Sequence, residues 1–283
     1  MNAPRHLIVT ADDFGAHPAV NEAVQIAHRT GILTAASLMV AAPGADDAVA
    51  RARTMPRLGV GLHLVLVEGR PALPPERIPD LVDAHGNFRT NMVRAGVEMF
   101  FRPTVRRQLR AEIEAQFAAF AATGLTLDHV NAHKHFHLHP TIAGLILDIG
   151  RRYGLKAARA PIEPGAVLAQ VEPGTRAVDG VTLPWAKLVR RRFRNAGVMV
   201  PDQVFGLHWS GAMTADRVNG ILRHLPRGVT ELYTHPAVHD DWTGHAPDYA
   251  YAAELAALTD PRATAIISQQ GIALSNFKDL CAS

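Results

Sequence analysis

Strand-like apolar runs alternate with helix-period segments through nearly the whole 283-residue chain, and this alternation restricts the fold more than any other feature. The runs fall at residues 7–10, 33–40, 58–66, 125–133, 155–160, 204–208, 228–236 and 272–277. Helical spacing of apolar residues fills 18–30, 46–54, 104–123, 141–153, 214–225 and 248–258, and a further helix opens at Pro261. Parallel strands need a crossover between them, usually a helix, so the pattern predicts an α/β fold with parallel strands and covering helices, closed into a (β/α) barrel or near-barrel. No linker divides the chain, and a single domain over 1–283 is expected. Its main interruption is a loop insertion at 68–103, where Pro71, Pro74, Pro75 and Pro79 break the periodicity. Long loops of this kind tend to be lids or binding elements. A second loop marked by proline and glycine is expected at 161–183.

Composition excludes several classes. Apolar residues make up 48% and charged residues 19%, as in a compact soluble enzyme and unlike a disordered chain. The net charge of +3 gives no reason to expect nucleic acid as a partner. Cys281 is the only cysteine, so no intrachain disulfide is possible. No apolar run approaches the roughly 20 residues of a membrane span, and the N-terminal residues lack the apolar core and cleavage site of a secretory signal. A cytoplasmic location follows as the expectation.

Chemistry-bearing residues gather where strands end. Asp12 and Asp13 follow the first run; adjacent carboxylates repel unless a cation or proton relieves them, which fits one metal ligand beside one base. His63 sits in the third run, after Gly59 and Gly61, which permit close backbone approach. His129, His133, His135, His137 and His139 all occupy odd positions, so on a strand His129 to His133 share one face while Val130 and Ala132 take the other. His235 closes the seventh run. Barrel enzymes assemble their sites at strand C-terminal ends. One carboxylate and two imidazoles on a divalent cation leave positions open for water and substrate, an arrangement suited to hydrolysis. Taken singly, each feature has a plainer explanation: a capping turn for the acids, a satisfied core histidine for His63, a solvated loop for the cluster. Four strands agreeing outweigh these.

The motifs Thr10-Ala11-Asp12-Asp13-Phe14-Gly15, Gly61-Leu62-His63-Leu64, the stretch from His129 to His137, and Glu231-Leu232-Tyr233-Thr234-His235-Pro236 resemble, in this order, the YdjC-like carbohydrate deacetylases. The wording Asn131-Ala132-His133-Lys134-His135-Phe136-His137-Leu138-His139-Pro140 resembles the branch associated with hopanoid biosynthesis. The resemblance implies a distorted, TIM-like barrel of about seven strands and a metal-dependent N-deacetylase of N-acetylglucosamine-type sugars. Carried over, Asp13, His63 and His133 would bind the metal, Asp12 would be the general base and His235 the general acid, with His135, His137 and Gly211 assigned to the substrate cleft. The family implies Mg²⁺, whereas imidazole-rich ligation favours Zn²⁺. Many relatives carry Asp where this chain has Asn131, which therefore stays outside the catalytic set. The branch implies an N-acetylglucosaminyl bacteriohopanetetrol substrate, with the 68–103 loop and the cationic segment 185–194 meeting the membrane that carries it. Deacetylation of soluble N-acetyl chito-oligosaccharides and metal-dependent phosphoester hydrolysis are the competing activities. Non-catalytic metal storage would leave Asp12 and His235 without a role.

Overall fold

The structure, a computed structural model, describes residues 4–175 and 182–282. Seven parallel strands form one curled sheet: β1 (Arg5–Phe14), β2 (Ala35–Leu38), β3 (Gly59–Leu64), β4 (Val130–Ala132), β5 (Gln203–Phe205), β6 (Gly228–Thr234) and β7 (Ala273–Leu274). Their order is β4-β3-β2-β1-β6-β5, with β7 beside the start of β1. The distorted barrel expected from the alternation is therefore present.

Around it lie α1 (Pro18–Thr30), α2 (Ala45–Arg53), α3 (Met92–Phe101), α4 (Pro103–Ala122), α5 (Pro140–Gly150), α6 (Gly165–Val171), α7 (Thr182–Asn195), α8 (Ala215–Arg223), α9 (Tyr251–Leu258), α10 (Pro261–Gln269) and α11 (Phe277–Ala282). No helix among the described residues is long and apolar enough to cross a membrane.

The expected strand at 155–160 does not join the sheet as a regular strand. It makes isolated bridges, Ala158 to Val130 on one side and Ala157 to Met199 on the other, and Val204 N–H donates to Ile162 O further along. This segment thus spans the gap between β4 and β5. The 68–103 insertion is not loop throughout: its second half is α3, whose Asn91 cap accepts from Arg94 N–H at 3.0 Å. The prolines ahead of α3 mark the whole insertion as loop, and the helix within it buries only Ala95 and Met99. Part of the second expected loop is α6, and its residues 176–181 lie outside the described residues.

Side-chain alternation sorts the strands into two faces. Leu7, Val9 and Ala11 of β1, with Val60 and Leu62 of β3 and Val130 and Ala132 of β4, belong to the large core beneath the helices. The opposite face fills the barrel interior. At its base, Ile8, Ala35 and Ala157 pack around Phe277 of α11. Above that plug the interior turns polar. Asn131 of β4 reaches Asp12 of β1, two strands beyond its neighbour β3, which only a curled sheet permits. The glycines of β3 make this possible: a Cβ on Gly61 would lie 2.5 Å from the His129 ring and one on Gly59 2.6 Å from the Asp128 carboxylate.

Candidate active site

A regular strand would send Asp12 and Asp13 to opposite faces. Instead the register of β1 against β2 shifts between Ala11 and Phe14, and Asp13 adopts a left-handed backbone with φ of 61°. Both carboxylates consequently open on one cavity of about 1540 Å³ at the C-terminal mouth of the barrel. Glu68, Lys134 and His135, the other non-glycine residues with positive φ among those described, line the same cavity. Strain of this kind concentrates at functional sites.

Asp13 Oδ1 lies 3.3 Å from both His63 Nε2 and His133 Nδ1, and one ligand atom from each of the three residues falls within 4.8 Å of the others. Asp13 Oδ1 and His63 Nε2 are buried yet accept or donate no well-aligned hydrogen bond among the described residues. A carboxylate and two imidazoles converging on one point fit the ligands of a single divalent cation. Burial acts to raise the Asp13 pKa, but His133 and His63 override it and hold the carboxyl well below the usual range. Burial acts to lower that of His63, and Asp13, Asp12 and Asn131 override it in turn. Charges that favour a proton on His63 favour a cation in the same place.

Asn131 supports both halves of the site. Its Oδ1 accepts from His63 Nδ1–H at 2.7 Å, which turns the Nε2 lone pair toward Asp13. Its Nδ2 donates to Asp12 Oδ1 at 3.0 Å and to Ser37 Oγ at 2.8 Å. An aspartate here could accept from His63 but would set two anions side by side at Asp12.

Arg159, which the sequence reading did not single out, is the centre of the second half. Fully buried, it donates to Asp12 Oδ2 at 2.5 Å, Asp12 Oδ1 at 2.9 Å and Glu231 Oε1 at 2.7 Å, and its guanidinium sits 4.4 Å from the Tyr233 ring centroid. Burial pushes the Asp12 pKa up, but Arg159 above all, then His63 and His235, hold it below the carboxylate range. Two donors occupy Oδ1 and one occupies Oδ2, so Oδ2 keeps an acceptor direction. The available signal was Arg159 following two alanines in a strand-like run, together with an acid, Glu231, inside another: buried charges require partners.

The odd-numbered histidines begin on one face, as expected, and then part. His129 packs in the interior against Phe277, with Asp128 and Ser37 as its partners. After His133 the chain turns into a 3₁₀ segment (His133–Leu138) instead of continuing the strand. His135 lines the cavity, with Nε2 3.0 Å from the Tyr233 hydroxyl, and burial followed by Arg159 pushes its pKa down to about 3. His137 is buried outside the cavity wall, and neither of its ring nitrogens has a hydrogen-bond partner among the described residues. His139 holds α3 through Gly96 O at 3.0 Å. His235 lines the cavity with Nδ1 unpartnered among the described residues, its pKa lowered by burial and by His63 and His133. Gly211, at φ of 77°, lies where a Cβ would enter the ring of Tyr249, and it is Tyr249 that faces the cavity.

Three buried glutamates fix the surrounding loops. Glu112 accepts from Ala72 and Leu73 N–H at 2.7 and 3.0 Å. Glu163 takes the N–H groups of Gly206, Leu207 and His208, and Glu254 those of Met213 and His235. Burial lifts the Glu254 pKa to about 7 against the pull of its two N–H donors.

Known proteins resemble this chain along nearly its whole length. A carbohydrate deacetylase of Geobacillus stearothermophilus is 31% identical over 98% of both chains. A human carbohydrate deacetylase is 30% identical over 99% of this chain and 93% of its own. The crystal structure of an Enterococcus faecalis protein described as a cellobiose-phosphate cleavage protein superposes with a TM-score of 0.75 at 25% identity, covering 98% of this chain and 99% of that one. With the family model described as "YdjC-like protein" matching residues 6–269, the chain belongs to the YdjC-like family.

Proposed function

We propose that the protein is a metal-dependent N-deacetylase that removes the acetyl group from an N-acetylglucosamine-type sugar, with a glycolipid, N-acetylglucosaminyl bacteriohopanetetrol, as its substrate. The observation that carries the reaction is the convergence of Asp13 Oδ1, His63 Nε2 and His133 Nδ1 beside an Asp12 locked by Arg159. The names borne by the relatives agree with it. Asp13, His63 and His133 would hold a divalent cation, Zn²⁺ by ligand chemistry or Mg²⁺ by family resemblance. Such an ion, when bound, polarises a carbonyl and acidifies water.

The chain's own residues supply the proton traffic. Asp12 is charged throughout the neutral range and takes the proton of the attacking water on the free direction of Oδ2. Arg159 fixes that carboxylate in place and balances its charge. His235 rests neutral, so it first takes up the proton that Asp12 has accepted from water and then passes it to the leaving amine, which returns both groups to their starting state. Neutral His135 and the Tyr233 hydroxyl offer a hydrogen-bonding edge to the sugar.

Two features of the cavity favour the glycolipid. At about 1540 Å³ it exceeds the roughly 300–1,000 Å³ of ordinary small-molecule sites. One end is walled by Met92, Val93, Val97, Phe100, Phe101 and Trp185, side chains suited to an apolar aglycone. The other carries Trp242, His245, Tyr249 and Tyr251, suited to a sugar. That aromatic end also favours soluble N-acetyl chito-oligosaccharides as the second reading.

The test is mass spectrometry of N-acetylglucosaminyl bacteriohopanetetrol incubated with the protein, with and without chelator, beside chitobiose and a sugar phosphate. Chelator-sensitive loss of acetyl from the lipid is the expected result. Loss from chitobiose alone would retain the reaction and remove the lipid, and phosphate release alone would replace deacetylation with phosphoester hydrolysis.

A further inference from the structure

The apolar end of the cavity continues onto the outside of the molecule. Val93, Val97, Phe100 and Phe101 of α3 follow the spacing i, i+4, i+7 and i+8, one stripe of a helix, and are 80, 52, 45 and 71% exposed. The charged residues of α3 are already engaged: Glu98 is ringed by Arg89, Arg94 and Arg102. Trp185 shares the cavity wall with α3, and Leu188, one turn along α7, extends the patch. Contiguous apolar surface of this kind on a soluble fold marks an interaction face.

Beside the stripe runs a basic groove. Phe100 lines both the cavity and this groove, whose other walls include Arg106, Arg107, Arg110 and Arg192. Arg106 and Arg107 form no ion pair among the described residues, and Arg110 pairs with Asp148 at 2.6 Å. The Arg192 guanidinium lies against Gly144, where a Cβ would come within 2.7 Å of Nη2, and donates to Pro140 O at 3.0 Å. The cationic run 185–194, by contrast, contributes less than its composition implies. Arg190 and Arg194 are turned toward the 200–202 segment, bonding Asp202 O and Val200 O with the Asp202 carboxylate, and they tether α7 to the fold. Within the groove the positive charge comes chiefly from Arg106, Arg107 and Arg110 of α4.

We infer that α3, the first turns of α7 and the α4 arginine groove together form a docking surface for an anionic lipid bilayer. Aliphatic and aromatic side chains enter the interfacial region while guanidinium groups meet lipid phosphates, the combination by which interfacial helices bind membranes. Of the possible occupants, the bilayer matches the charge: a second copy of the same face would bring Arg106 and Arg107 against their own likeness. The inference rests on the glycolipid reading and deepens it, since the docked face opens into the cavity through Phe100.

The experiment is co-sedimentation of the intact protein with phosphatidylcholine vesicles, with and without phosphatidylglycerol, and in rising salt. Binding that requires phosphatidylglycerol and weakens with salt is expected. Val93→Asp with Phe101→Asp should lower it on the order of a hundredfold. Arg106→Glu with Arg107→Glu should remove at least about tenfold, all of it from the anionic vesicles. Thermal melts check that both variants remain folded. No pelleting by the wild type, or equal pelleting of all three proteins, overturns the inference, as does a concentration-dependent dimer that Phe101→Asp dissolves without any change in vesicle binding. Glycolipid turnover in detergent without vesicle binding would overturn this surface and leave the proposed activity standing. Vesicle binding without turnover would do the reverse.

Discussion

The floor and the rim of the cavity are built on opposite terms. On the floor, Arg159, Asp12, Glu231, Asn131 and His63 are nearly inaccessible to water, and charge pairing fixes their positions. On the rim, the outer face of α3 presents bulky apolar groups to solvent. Moving a floor residue leaves an uncompensated charge, whereas moving a rim residue leaves the interior untouched. The floor is therefore specified by the fold, and the rim by whatever it meets.

Removing the central cation should break the contrast most severely. Arg159→Met strands Asp12 and Glu231 without a counter-ion and should cost about 3–5 kcal/mol in urea denaturation. A loss under about 1 kcal/mol would mean that the floor is not held by charge. Glu254→Gln tests the floor's edge through pH. The folded pKa of Glu254, about 7, stands above its ordinary 4.5, so the native protein retains a proton that the unfolded chain releases between those values. Wild-type stability should fall as pH rises through that window, by on the order of 2–3 kcal/mol relative to the variant between about pH 5 and 8, with the loss complete above the folded value. Parallel stability curves for the two proteins would refute it.

Asn131→Leu removes the acceptor that orients His63 and should weaken Zn²⁺ binding about 10- to 100-fold by titration calorimetry. Unchanged affinity would separate His63 from its support. The smallest effect belongs to the rim: Val93→Ser with Phe101→Ser should alter stability by no more than about 0.5 kcal/mol. A larger loss would make α3 part of the core and erase the comparison.

Part of the cavity lining was legible in the sequence, because Asp13, His63, His133 and His235 stand at or near strand ends and strand ends meet at a barrel's mouth. The surroundings of Asp12 and Asp13 were separable only in three dimensions: spacing cannot state which carboxylate faces the imidazoles and which faces Arg159. Arg159 escaped because its segment bridges a gap between β4 and β5 and does not read as a site-bearing strand. Past His133, where the expected strand ends, left-handed Lys134 and His135 turn the chain so that His135 reaches the cavity and His137 does not. The rim escaped because the prolines ahead of α3 mark 68–103 as loop, although Val93, Val97, Phe100 and Phe101 keep helical spacing within it.

The shift in β1 makes the chemistry a matter of phase as well as composition. One extra residue between Ala11 and Phe14 lets two consecutive acids address the same space, a task that strand geometry otherwise denies to neighbours. A chain with the same residues and one fewer position in that stretch would keep its barrel and its histidines yet turn one carboxylate out of the mouth. What β1 contributes to the site is thus a miscount, and the site depends on its being preserved.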